Sequence, residues 1–186
     1  SLNHDNLWYL NKTQVYKIAD VYFSVFDIAD DQANYIKATE IPDDKLKVAL
    51  FHGAVDSSMT DAGFKVRNDN HSIKMFSNYD LVLLGDIHKH QYLDINKTVH
   101  YPGSLIQQNF GESYENHGYT IWNLNDLSSS FNHINNDYGF YTIDINNGVL
   151  PSIKDIPRFP RLRIRTSNTT EAELKNLMLE IRKKAT

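Results

Sequence analysis

Residues 80–119, DLVLLGDIHKHQYLDINKTVHYPGSLIQQNFGESYENHGY, decide how this chain is read. The apolar run Leu81-Val82-Leu83-Leu84 has the length of one buried strand of a parallel or mixed sheet, and Gly85 stops it. Asp86 and His88 follow at once. In backbone that stays extended past Gly85, their i, i+2 spacing sets both side chains on one side of the chain. A carboxylate and an imidazole then point together from a strand end, where open α/β sheets build their sites. His100-Tyr101-Pro102-Gly103-Ser104 is a second extended piece closed by a Pro-Gly turn. The plainer reading of the same residues is a surface loop after a strand.

Upstream, Leu46-Lys47-Val48-Ala49-Leu50-Phe51 reads as a central strand ended by His52-Gly53. The small and polar residues Ala54 to Ser58 behind it suit a ligand held on a loop, although a lone strand-end histidine is more often structural. Aromatic and β-branched runs at 7–10, 13–16 and 21–26 predict two or three strands with short turns. Asp30 to Pro42 predicts a short helix with Tyr35 and Ile36 as its buried contacts, and a second short helix is expected within 71–77. Downstream, residues 119–124 and 131–134 predict two more strands.

A boundary is expected at Asn135-Asn136-Asp137, a turn-rich polar cluster. Beyond it, 140–145 and 161–165 alternate as strands across a link containing Pro151, Pro157 and Pro160. Thr170-Glu171-Ala172-Glu173 is a capping box, and Leu174, Leu177, Met178 and Ile181 form one apolar helical face. Arg161, Arg163 and Arg165 share one face of their strand, either against a DNA backbone or simply in water.

With 186 residues, of which 41% are hydrophobic, the chain is long enough for one full core plus a small attached unit. It holds no apolar run of membrane-spanning length, and no basic stretch followed by an apolar one opens it, so an intracellular protein without signal peptide or membrane contact is expected. The absence of cysteine excludes disulfides, thiolate metal sites and cysteine nucleophiles. Metal chemistry is left to His, Asp, Glu and Asn. The net charge of −4 divides unevenly, with −9 over residues 1–150 and +5 over 151–186. An acidic body able to collect cations thus precedes a basic tail able to meet phosphates, unless both are ordinary solvated surface.

Gly85-Asp86-Ile87-His88-Lys89, Tyr101-Pro102-Gly103-Ser104, Asn109-Phe110-Gly111-Glu112 and Gly118-Tyr119 together resemble the late motifs of the calcineurin-like metallophosphoesterases. Their order is most similar to that of the SbcD-type double-strand-break repair exonucleases and the phage recombination nucleases related to them. The resemblance implies an α/β (α+β) fold. Residues 1–136 would be the second half of a phosphoesterase β-sandwich flanked by helices, and 137–186 the strand-strand-helix start of a capping domain. It implies phosphodiester hydrolysis on DNA with two divalent cations about 3.5–4 Å apart. Mn²⁺ is expected, with Mg²⁺, Fe or Zn²⁺ also compatible.

By the same resemblance His52, Asp86 and His88 match metal-ligand positions, with Asp86 standing where the family has His. Lys89 and His90 are candidates to position a phosphate, or else face water. Arg161, Arg163 and Arg165 are candidates to contact DNA. The family's early motifs, which carry the remaining ligands and the catalytic histidine, are not found. Asn3-His4-Asp5 is similar to one of them only superficially and is not taken as a ligand set. The expectation is therefore a fragment, inactive alone, whose sheet leaves an apolar face needing cover. The implied partners are DNA, a separate ABC-type ATPase subunit and a second copy in a homodimer. Two other readings stand beside the nuclease: a catalytically inactive module that binds nucleic acid or a partner, and another phosphoesterase of the same superfamily.

Overall fold

A computed structural model describes residues 9–154 and 156–184. The Asn3-His4-Asp5 segment and the start of the 7–10 run lie outside the described residues. The chain is α+β and divides into two compact units, each described by itself.

The first unit comprises the chain up to Gly103 together with Thr120–Phe131. Its sheet contains β1 (Gln14–Ile18), β2 (Val21–Phe26), β3 (Leu46–His52), β4 (Leu81–Gly85), β5 (Gln91–Tyr92) and β6 (Val99–Tyr101). The order across the sheet is β1-β2-β3-β4-β6-β5. The central strands β2, β3, β4 and β6 run parallel, and β1 and β5 close the two edges antiparallel. The tight turn at Ala19 joins β1 to β2 with a positive φ of 52°.

Strand periodicity sorts the side chains onto two faces. Phe26, Ala49, Phe51, Val82, Leu84, Val99 and Tyr101 form the main core with Tyr35, Val55 and Phe76. The alternate positions Val25, Leu50, Leu83 and His100 line a cleft of about 940 Å³ with Tyr9, Leu10 and Trp122. Among the described residues this face is covered in part. Some cover comes from β7 (Gly118–Asn123) and β8 (Ser128–His133), a separate two-stranded sheet. Trp122 lies edge-on to His100, and the Tyr92 hydroxyl meets that of Ser129 at 2.7 Å.

The expected helix between Asp30 and Pro42 is two single turns of 3₁₀ helix, Gln32–Asn34 and Ala38–Glu40. Asp31 caps Ala33 through its carboxylate, and such side-chain bonding competes with a longer helix. Tyr35 is buried beside Phe26 as expected, whereas Ile36 is half-buried. Ile73–Phe76 is likewise one 3₁₀ turn. Tyr9 and Leu10 carry no regular structure, so the first aromatic run forms no strand in its described part.

The second unit comprises Ser104–Tyr119 and the chain from Asn132 onward. The chain passes into the second unit for 104–119 and again from Asn132, and no composition change announces the first of these passages. β9 (Tyr138–Asn146) and β10 (Phe159–Ser167) pair in parallel, joined by the proline-rich crossover. α1 (Glu171–Lys184) covers one face, burying Ile143, Ile145 and Ile181 with Leu162, Ile164, Leu174, Leu177 and Met178 around them. The capping box forms: Thr170 N donates to Glu173 at 2.8 Å, and Glu173 N donates back to the Thr170 hydroxyl at 3.3 Å. Among the described residues no helix is long and apolar enough to cross a membrane.

Candidate metal centre

β3 and β4 end level with one another. Their register pairs Phe51 with Leu84 and His52 with Gly85, and Gly53 N donates to the Gly85 carbonyl at 3.2 Å. The last residue of one parallel strand is therefore His52, and the first residue beyond its neighbour is Asp86. The His52 ring leans over Gly85: a Cβ added there would lie 2.5 Å from Nδ1, so only glycine leaves the imidazole its place. His52 and Gly85 also line one end of the 940 Å³ cleft.

Asp86 is exposed and has a φ of +92°, a conformation that costs a non-glycine residue about 1–3 kcal/mol. The chain therefore does not stay extended past Gly85, as the i, i+2 argument assumed; it turns at Asp86. His88 follows on the same loop, also exposed. The structure brings His52 and the Asp86–His88 loop to the carboxyl-terminal ends of two adjoining central strands. The donor atoms of the three are not, however, within 4.8 Å of one another.

Both loops are fixed by β6 and the turn after it. Tyr101, fully buried, donates from its phenol to the Gly53 carbonyl at 2.6 Å and accepts from Val55 N at 2.9 Å. Burial pushes this phenol up to about 12, with the charge of Asp86 adding a smaller push, so it stays protonated and able to donate. Gly103, at φ +80°, lies against the other loop: a Cβ there would sit 2.6 Å from the His88 carbonyl and 2.9 Å from His90 N. Farther along, Asn68 donates to the Ala54 carbonyl at 2.7 Å, and the Gln91 amide pairs with both backbone groups of Met59 at 2.8 Å. The sequence offers Tyr101 only as part of the Tyr-Pro-Gly-Ser motif and Gln91 only beside Lys89 and His90 as a residue that could position a phosphate or face water, and it does not point to Asn68.

Lys89 is half-buried, and its carbonyl accepts from Gln91 at 3.2 Å. The His90 ring packs among Phe131, Tyr92 and His100, with centroids 4.1, 5.5 and 5.1 Å away. His100 is 1% exposed, stacks on Tyr92 at 4.6 Å, and its Nδ1 has no hydrogen-bond partner. Burial, with a smaller contribution from His90, pushes His100 down to about 4. In the second unit, buried His117 holds its loop together, contacting the Ser104 hydroxyl at 3.0 Å and the Ser113 carbonyl at 2.7 Å.

Also in the second unit, the three arginines differ in what engages them. Arg165 forks onto Asp144 at 2.6 and 2.9 Å. Arg163 lies 4.5 Å over the Phe110 ring, and its Nε donates to Thr142 at 3.2 Å. Arg161 lies 5.4 Å over Phe140. The Asn109–Glu112 motif is anchored here. Gln107 exchanges hydrogen bonds of 2.6 and 3.1 Å with the backbone of Phe140, whose ring meets Phe110 edge-on.

No protein-family model matches the sequence. The chain is similar to the uncharacterized protein R555 of Acanthamoeba polyphaga mimivirus, 35% identical over an alignment of 187 positions that takes in 96% of this chain. It spans 14% of the length of that relative.

Proposed function

We propose that the chain supplies part of the metal centre of a calcineurin-like metallophosphoesterase of the SbcD-type repair and recombination branch, with DNA phosphodiesters as substrate. The observation that supports this reading most is the level pairing of His52 with Gly85, which sets Asp86 and His88 beyond the adjoining strand end. Two imidazoles and one carboxylate, with no thiolate, form a donor set for Mn²⁺, and Mg²⁺, Fe or Zn²⁺ are alternatives. His52 and His88 would each offer a neutral ring nitrogen, and Asp86 an oxygen that favours a hard cation. Bound cations would supply positive charge for the attacked phosphate and a lowered pKa for water, with His52, Asp86 and His88 as the residues of this chain that would hold one of them.

The partly covered sheet face is consistent with a second layer elsewhere in the whole protein, from which the remaining ligands would come. Under this reading the 186 residues alone do not turn over substrate. The proposed partners are DNA, a separate ABC-type ATPase subunit and a second copy of the chain, in an intracellular setting. The second reading, an inactive binding module, is favoured by Asp86 in place of the family's His and by the separation of the donors. A Mn²⁺-dependent nuclease assay of the whole protein separates the two. Cleavage abolished by His52→Ala, Asp86→Ala and His88→Ala individually supports the enzyme; no cleavage by the unaltered protein, or cleavage indifferent to all three substitutions, refutes it.

A further inference from the structure

The face of β9 and β10 opposite α1 has its own composition. The parallel register pairs Tyr138 with Phe159, Phe140 with Arg161, Thr142 with Arg163 and Asp144 with Arg165, all turned away from the Ile143, Ile145 and Ile164 core. Tyr138 and Phe159 are 65% and 47% exposed, an unusual state for two large aromatics directly opposite each other. Their rings lie 5.2 Å apart and tilted by 32°, and the Arg158 guanidinium sits 5.1 Å over Phe159. A hollow of about 330 Å³ opens beside them, lined by Tyr138, Phe140, Phe159, Arg161, Gln108 and Asn136.

We propose that this face binds single-stranded nucleic acid, with one base stacked on the Tyr138–Phe159 pair at the hollow and the adjoining phosphates along Arg161 and Arg163. The proposal rests on the nucleic-acid part of the function given above and deepens it to a strandedness and a set of residues. Sheet faces bearing exposed aromatics stack unpaired bases, and flanking cations follow the backbone; here the aromatic end at Tyr138 and Phe159 is the open part, because Phe110 packs on Phe140 and Arg163 farther along. Arginines two positions apart on a parallel strand repeat every ~6.6 Å, comparable to the step between phosphates of an extended single strand. A duplex keeps its bases inside and cannot use the aromatic pair. Arg165 takes no part, because its fork is filled by Asp144.

The test is fluorescence anisotropy of an end-labelled oligothymidylate with the protein in EDTA, so that binding is read without the metal centre. Replacing both Tyr138 and Phe159 by Ala weakens binding about 10-fold, within the range for one lost stacked base. Tyr138→Phe retains it. Arg161→Ala with Arg163→Ala weakens binding and makes its salt dependence shallower, whereas the aromatic variant leaves the salt slope unchanged. Arg165→Ala stays within twofold of the unaltered protein. Thermal unfolding controls for folding, which substitution at such exposed positions leaves intact. Binding unaffected by loss of both aromatics, tighter binding of the matching duplex, or no binding at all overturns the proposal. Loss of Mn²⁺-dependent cleavage would not bear on it.

Discussion

The phenol of Tyr101 donates a 2.6 Å hydrogen bond to the carbonyl of Gly53, the residue that follows His52. A side chain on β6 thereby fixes the loop leaving β3, with β4 lying between the two strands. Two residues farther on, the Pro-Gly turn packs its glycine against the backbone of His88 and His90. Tyr-Pro-Gly-Ser is therefore the piece that sets both histidine loops at the ends of two adjoining strands. Its own chemistry is not needed for that role.

Tyr101→Phe keeps the ring and removes both bonds. Val55 is fully buried, so its amide would be left without a partner. The expected loss of stability is about 1–3 kcal/mol, the range for an orphaned buried donor, read as a lower urea midpoint at unchanged slope.

Gly103→Ala puts a Cβ 2.6 Å from a backbone carbonyl at a φ of +80°. Backbone atoms cannot swing aside as a flexible side chain would. A destabilisation of more than about 1 kcal/mol follows, with the His88 loop displaced. Crystallography of the variant would show the displacement, and thermal unfolding its cost.

Asp86→Gly relieves a strained φ of +92° while deleting a carboxylate. It is expected to raise stability by about 1 kcal/mol and to abolish cation binding, whereas Asp86→Asn keeps the strain and weakens binding. A stability gain paired with loss of binding is the mark of a residue retained for function, and thermal unfolding with and without Mn²⁺ reads both.

The parts legible in the sequence were those with a strong local period. Leu46–Phe51, Leu81–Leu84 and the Leu174/Leu177/Met178/Ile181 face became β3, β4 and α1 because burial there has one solution. The Thr170–Glu173 box formed as its spacing required. Gln91–Tyr92 was illegible because a two-residue edge strand has no period to read. The attachment of 104–119 to the second unit depends on the Gln107 amide reaching Phe140, a pairing 33 residues apart that leaves no local trace. At the candidate site, His52 and Asp86 were placed by strand ends. The turn at Asp86 was missed because aspartate at positive φ announces itself less clearly than glycine would.

His100 gives the fold a pH dependence. Its imidazole has an ordinary pKa of 6.5 and is pushed down to about 4 when buried among Tyr92, His90 and Trp122. Between these values the unfolded chain holds a proton that the folded chain does not. Stability therefore falls as pH drops from 6.5 toward 4, by about 3 kcal/mol from this group. Urea unfolding across that range should show the slope, and His100→Leu should flatten it.

Whether His52 and the Asp86–His88 loop meet around one cation is tested most directly by Mn²⁺ titration followed by electron paramagnetic resonance. Binding by the unaltered protein should be weakened at least tenfold by each of His52→Ala, Asp86→Ala and His88→Ala. Mn²⁺ affinity that is the same with and without these three side chains, or no binding by the unaltered protein, would contradict it.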